Sequence, residues 1–238
     1  MISTIDIPFE LNIEALQKEL KLKPGTEDSK SFDELAGLAQ EISKPKFLYK
    51  SSFIDEKNTD SITLEGVTFT SPAMRLNLDS IGRVFPYIAT CGTEVEEIGS
   101  ASDDILRNYW LNAIKLNLLE ISIDVLMAQI DSRYKFSKLS SMNPGSGDAT
   151  VWPIEQQVEL FSIFGDVEAQ IGVRLNSSFM MIPEMSVSGI FFPTETSFQN
   201  CQLCQREICD HRRAAFDQQL WDSVNRVVEN DGNSTPLV

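Results

Sequence analysis

Leu175-Asn176-Ser177-Ser178-Phe179-Met180-Met181-Ile182-Pro183-Glu184-Met185-Ser186-Val187-Ser188-Gly189 is the stretch whose reading decides the fold of this chain. It joins two strand-like runs, one near Gly172 to Leu175 and one from Ser186 to Phe192. Immediately upstream, a Gly/Ser/Pro-rich loop covers Ser140 to Thr150, and a helix is predicted from Ile154 to Ile163. The decisive stretch is therefore flanked by loop, helix and strand.

Farther back, Asp103 to Ile130 carries the strongest periodicity. Ile105, Tyr109, Ala113, Leu116, Leu119, Ile123, Leu126 and Ile130 recur at intervals of three and four. Other apolar residues lie between them, which predicts a helix buried on most sides, with Tyr109 and Trp110 packed in a core. Its charges, Arg107, Lys115, Glu120 and Asp124, exclude a membrane span. Val84 to Thr90 reads as a strand whose Pro86 predicts an edge or irregular position. Phe47 to Ile54 and Ser61 to Thr70 also read as strands, the second with a bulge or turn at Gly66. Helices are expected at Leu11 to Leu20, ended by Lys23-Pro24-Gly25, and at Ser31 to Ile42, stopped by Pro45. A last helix covers Phe216 to Val228, before a frayed tail from Asp231 to Val238. Strands and helices follow one another without βαβ alternation, so the expected class is α+β.

Composition narrows the function. A chain of 238 residues with 42% hydrophobic content can bury one substantial core or two modest ones. The formal charge of −15 argues against nucleic acid and anionic membranes as partners. No segment has the roughly 20 apolar residues of a membrane helix. Met1 to Pro8 lacks the pattern of a signal peptide, so a cytoplasmic location is expected. GxGxxG, Walker A, HExxH and GxSxG motifs do not occur. A single histidine, His211, restricts histidine acid–base chemistry to one candidate.

Leu175 to Gly189 resembles the L-x-x-S-F-x-M-x-P-x-x-S-V-S-G segment of the activation domain of cobalamin-dependent methionine synthase. Pro144-Gly145-Ser146-Gly147, Trp152-Pro153, Gln157, Leu160 and Phe161 are similar to the P-G-Y-G…W-P-L-x-x-Q-x-x-L-F pattern of its short bacterial, free-standing members. Gly92-Thr93-Glu94-Val95 and the following helix resemble the family's T-L-G-x-E-V-D strand end. The resemblance spans about Val84 to Phe192 and fits the first 80 residues loosely. It implies a curved, twisted antiparallel sheet flanked by helices. The chain is accordingly expected to divide into N-terminal helices and strands of the same domain (1–80), an activation-domain-like core (81–198), and, outside the family's motifs, a Cys-rich segment with the C-terminal helix (199–238).

The resemblance further implies binding of S-adenosylmethionine and docking over a cobalamin, where reduction and methylation rescue inactive cob(II)alamin. The family's Arg-x-x-x-Gly-Tyr contact falls on Ser141, Gly145 and Ser146, so the guanidinium fork and the flat aromatic surface are replaced and only the glycine is kept. Asn143, Pro144, Gly145 and Ser146 are the candidate cofactor-binding residues. The corrinoid-carrying D-x-H-x-x-G signature is missing, since Arg212-Arg213-Ala214 follows His211. Cobalamin is expected on a partner, a corrinoid-carrying methyltransferase or corrinoid protein.

Three of the four cysteines fall in Cys201-x-x-Cys204-x-x-x-x-Cys209-x-His211. This spacing makes Cys201, Cys204, Cys209 and His211 candidate metal ligands, for an iron–sulfur cluster or, as the rival, zinc. Cys91 or an external ligand is an alternative fourth position; a redox-active Cys201/Cys204 dithiol and inert thiols are further alternatives. Cys91 itself reads as a buried structural thiol at a strand end. Together these features predict an accessory protein in cobalamin-dependent methyl transfer. The alternatives are a non-catalytic corrinoid-protein binding module and a metal-bearing subunit of a methionine synthase lacking its own activation domain.

Overall fold

The computed structural model describes residues 3–99, 104–136, 138–147, 151–195, 198–209 and 212–230. The chain opens with strand β1 (Ser3–Asp6) and helices α1 (Ile13–Glu19) and α2 (Glu27–Ile42). α2 begins four residues before the expected Ser31. Thr26 caps it by accepting from the Ser29 amide at 3.2 Å, and Glu27 and Asp28 place negative charge on the first turn. Strands β2 (Lys46–Tyr49), β3 (Ser52–Lys57), β4 (Ser61–Leu64) and β5 (Val67–Thr70) follow, β4 and β5 forming a hairpin in which Gly66 is the turn rather than a bulge in one strand. Helix α3 (Pro72–Asn77) is capped by the Ser71 hydroxyl with Pro72 in its first turn.

Strand β6 (Arg83–Thr90), the short helix α4 (Glu96–Gly99) and the 30-residue helix α5 (Ile105–Tyr134) come next. Strand β7 (Leu139–Met142) occupies the start of the segment expected to be loop. After it come helices α6 (Gln157–Ser162) and α7 (Val167–Ile171), short strands β8 (Arg174–Leu175) and β9 (Met181–Ile182), strand β10 (Ser186–Pro193) and helix α8 (Gln218–Asn230). The expected tail from Asp231 lies outside the described residues.

β6 is a central strand, so of the two positions expected from Pro86 it takes the irregular one and not the edge. β10 pairs antiparallel along one side of it, from Ser186↔Thr90 to Phe191↔Phe85, and β7 pairs with the far side of β10. Along the other side, β2 pairs from Lys46↔Thr90 to Tyr49↔Tyr87, and β3 takes over at Ser52↔Val84. Pro86 sits opposite the break between β2 and β3, where the ladder needs no donor from it, and its carbonyl accepts from the Lys50 amide at 3.0 Å. The predicted single strand Phe47 to Ile54 is thus two strands. β1 extends the sheet beyond β2, and β4 and β5 extend it beyond β3.

Side chains alternate across this sheet and create two apolar layers. Phe47, Tyr49, Phe85, Tyr87 and Phe191 face α1, α2 and α5. Leu48, Val84, Ile88, Ile190 and Phe192 face the layer of α3, α6, α7 and α8. Helices on both faces of an antiparallel sheet realise the α+β class. α5 is buried along one face only, through Trp110, Ile114, Leu118, Leu126 and Ile130. Ile105, Tyr109 and Leu116 are exposed, so Trp110 alone of the aromatic pair packs in the core.

Candidate functional site

Asn143 follows β7 and joins three parts of the chain. Its side-chain amide donates to the Tyr87 hydroxyl and to the Ser188 carbonyl, each at 2.8 Å. Its oxygen accepts from the Asn200 amide at 3.0 Å and from the Ser141 hydroxyl at 3.4 Å. This arrangement requires Gly189 beneath it. A Cβ there would collide with the Met142 carbonyl oxygen and with the Asn143 amide. The closing Ser-Val-Ser-Gly of the decisive stretch gains a physical explanation. Ser186 donates to Thr90 at 2.9 Å, Ser188 donates to Gln157 at 2.7 Å, Val187 packs on the helical layer, and Gly189 admits Asn143.

The rest of the stretch forms a hairpin of β8 and β9 around an Asn176 turn. The Asn176 oxygen accepts from the amides of Ser178 and Met180, at 2.8 and 3.1 Å. Gln157 is nearly fully buried on α6. It donates to the Phe179 carbonyl at 2.9 Å while accepting from Ser188, and so ties the hairpin tip to β10. The Gly145 amide donates to the Trp152 carbonyl at 2.8 Å. Gly145 has φ +72°, and a Cβ there would lie 3.0 Å from that of Ile154, which accounts for glycine at this turn.

Between these parts lies an open cleft of about 540 Å³. The sequence candidates Asn143, Pro144, Gly145 and Ser146 all line it, together with Ser141. Opposite them are Met180, Glu184 and Ser188 from the decisive stretch. The third wall, Gln199 to Cys201 and Arg213, belongs to the segment singled out for its cysteines. Neither Arg213 nor Asn200 carries a sequence signal for this role, because they reach the cleft only through the fold of the C-terminal segment. The Asn200 oxygen is shielded from solvent and has no hydrogen-bond partner among the described residues. At the inner end of the cleft, burial pushes the Tyr87 hydroxyl up to about 12, against the lowering effect of its Asn143 and Ser141 contacts and of the Arg213 charge. Tyr87 stacks on Phe191 at 4.2 Å and is a neutral, fixed floor rather than an acid or base.

The cysteine segment closes around a guanidinium. Arg212 donates to the carbonyls of Cys201, Ala214 and Cys204 at 3.4 to 3.5 Å, and also to that of Arg206. Its own amide donates to the Cys209 carbonyl at 3.2 Å. Cys201 to Leu203 lie in a 3-10 turn anchored by the buried Leu203. Among the described residues no three Cys, His, Asp or Glu side chains come together as a metal-holding group. His211 lies outside the described residues. The expected iron–sulfur or zinc ligation by Cys201, Cys204 and Cys209 is therefore unsupported. Within the segment the Arg212 guanidinium donates to backbone carbonyls, and the Cys201 sulfur accepts from the Arg213 amide at 3.5 Å. Cys91 is the buried thiol expected, pushed up to about 12 by burial and by nearby Glu96, against a lowering contribution from Lys115. Among the described residues no helix is long and apolar enough to cross a membrane.

No protein-family model matches the chain, and no curated protein matches its sequence. In three dimensions it is similar to the MetH reactivation domain, whose crystal structure was determined bound to AdoHcy. The TM-score is 0.58 at 14% sequence identity, covering 84% of this chain and 81% of that one. The chain shares the α+β fold of the MetH reactivation domain.

Proposed function

We propose that this chain is an accessory protein of cobalamin-dependent methyl transfer. It binds an S-adenosyl ligand in the cleft and supports reductive reactivation of cob(II)alamin on a partner protein. The observation that carries the reading is the shared fold with an AdoHcy-bound reactivation domain, combined with a cleft walled by the stretch that resembles that family. The cleft volume of about 540 Å³ lies within the range of small-molecule sites, and Asn200 offers an acceptor that no described residue satisfies. When bound, S-adenosylmethionine would supply an electrophilic methyl group on a sulfonium. The chain's own residues contribute the walls: Asn143 fixes the loop against β10, and Tyr87 and Gln157 hold the floor and the hairpin in place.

The reading is tested by calorimetric titration of the protein with S-adenosylhomocysteine. A second measurement mixes it, under reductant and S-adenosylmethionine, with a cob(II)alamin-loaded methionine synthase lacking its own activation domain. Saturable binding and return of the methylated corrinoid spectrum are the expected results. Absence of ligand binding at millimolar concentration overturns the S-adenosyl part.

A second reading is favoured by Ser141 and Ser146, which stand where the family's pattern has an arginine and a tyrosine and which bring no charge or ring to the cleft. On that reading the chain is a non-catalytic module that docks on a corrinoid protein. Complex formation without reactivation identifies it.

A further inference from the structure

We propose that Arg213 and Glu184 grip the two ends of an α-amino-acid group on the cleft's ligand, the guanidinium taking its carboxylate and Glu184 its ammonium. The inference rests on the S-adenosyl reading above and specifies which side chains select that ligand's amino-acid end.

Arg213 and Glu184 are the cleft's two charged residues; every other lining side chain is neutral. They come from different walls, Glu184 from the turn before β10 and Arg213 from the C-terminal segment. Neither forms an ion pair with the other or with any further described residue. For Arg213 this is notable in a chain with 35 acidic and 20 basic side chains, where carboxylates are in excess everywhere. One cation and one anion on different walls and not paired with each other complement a zwitterion, in which the two charges are also separate and opposite in sign. A lone phosphate would leave one of the two unmatched, and a plain nucleoside would leave both.

The surrounding segment holds Arg213 in place and leaves its side chain unengaged. The Arg213 amide donates to the Cys201 sulfur at 3.5 Å, while the neighbouring Arg212 spends its guanidinium on backbone carbonyls of the same turn. Consecutive arginines thus divide the work: Arg212 folds the segment and Arg213 faces the cleft. The Arg213 charge is also felt at the Tyr87 hydroxyl, at the inner end of the cleft. A guanidinium fork is suited to a carboxylate, to which it donates two parallel hydrogen bonds in one plane.

The test titrates the full chain with S-adenosylhomocysteine and, separately, with 5′-methylthioadenosine, which keeps the nucleoside thioether and lacks the amino-acid end. R213Q and E184Q are each expected to weaken S-adenosylhomocysteine about tenfold, from loss of one charge-assisted contact at a solvent-exposed site. Binding of methylthioadenosine is expected to stay within about twofold, and R213K to fall between wild type and R213Q. Both positions are exposed, so equal urea midpoints for variants and wild type are expected and attribute any loss to the contact. Unchanged S-adenosylhomocysteine affinity in R213Q and E184Q overturns this inference and leaves the S-adenosyl reading standing. Failure of the wild type to bind either compound overturns both.

Discussion

The Asn143 side-chain amide donates to the Tyr87 hydroxyl at 2.8 Å, joining the loop after β7 to the central strand β6 across β10. The same nitrogen serves the Ser188 carbonyl, and the Asn143 oxygen holds Asn200. Substituting N143A removes one of the two side-chain contacts of the Tyr87 hydroxyl and takes the partner from the Asn200 amide and the side-chain donor from the Ser188 carbonyl. The expected cost is about 2–3 kcal/mol in urea unfolding. Y87F removes one partner and leaves the amide its bond to Ser188, so a smaller cost of about 1 kcal/mol is expected. Equal effects from both variants would show that the seam is not built around Asn143.

Gly189 makes that seam possible, and G189A tests the packing beneath it. An added Cβ meets the Met142 carbonyl and the Asn143 amide, both backbone-anchored or hydrogen-bonded, so neither yields without breaking a contact. The expected destabilisation is about 2 kcal/mol or more. A melting temperature equal to that of the wild type would contradict the close approach.

High pH should unfold this protein by a defined route. The Tyr87 hydroxyl is raised from 10.0 to about 12 chiefly by burial, and the Cys91 thiol from 9.0 to about 12 for the same reason. Both groups release protons more readily in the unfolded chain than in the folded one. Their contribution is therefore fully present below pH 9 and is lost as pH rises through the interval from 9 to about 12. Tyr87 alone accounts for about 2–3 kcal/mol of that loss. Urea midpoints measured from pH 8 to 12 should fall, and Y87F should flatten the part of the curve above pH 10. A pH-independent midpoint would place both groups in contact with water.

Much of this architecture was legible from residues, and the misreadings share a cause. Thr26 with Glu27-Asp28 and Ser71 with Pro72 are local capping signals that mark where α2 and α3 begin, and passing over them sets α2 four residues late and leaves α3 unexpected. The loop from Asn143 to Ser146 is singled out by one of the family's motifs, whereas the stretch before Gly189, which carries the resemblance, is given no site role by the sequence; both line one cleft. Pro86 left an edge and an irregular position open because a proline's tolerance depends on what lies across the ladder; the break between β2 and β3 that decides for the second is a tertiary fact. Tyr109 followed the apolar period of α5, yet that helix has only one covered face. Arg213 had no pattern at all, since only the folding of its segment carries it to the cleft.

The cysteine segment offers the sharpest contrast between a metal and a guanidinium as its organising cation. Arg212 reaches the carbonyls of Cys201, Cys204 and Ala214, so R212M should release the turn, with a cost of about 1–3 kcal/mol and faster proteolysis between residues 201 and 217. Cys201, Cys204 and Cys209 are partly exposed whereas Cys91 is buried. A thiol reagent should therefore label three cysteines in the native protein and the fourth only on unfolding. Substituting all three by serine should shift the urea midpoint by less than R212M does, and treatment with a chelator should leave it unchanged. A midpoint that falls on chelation, together with protection of all three thiols from the reagent, would mean that a metal organises the segment and that Arg212 plays the lesser part.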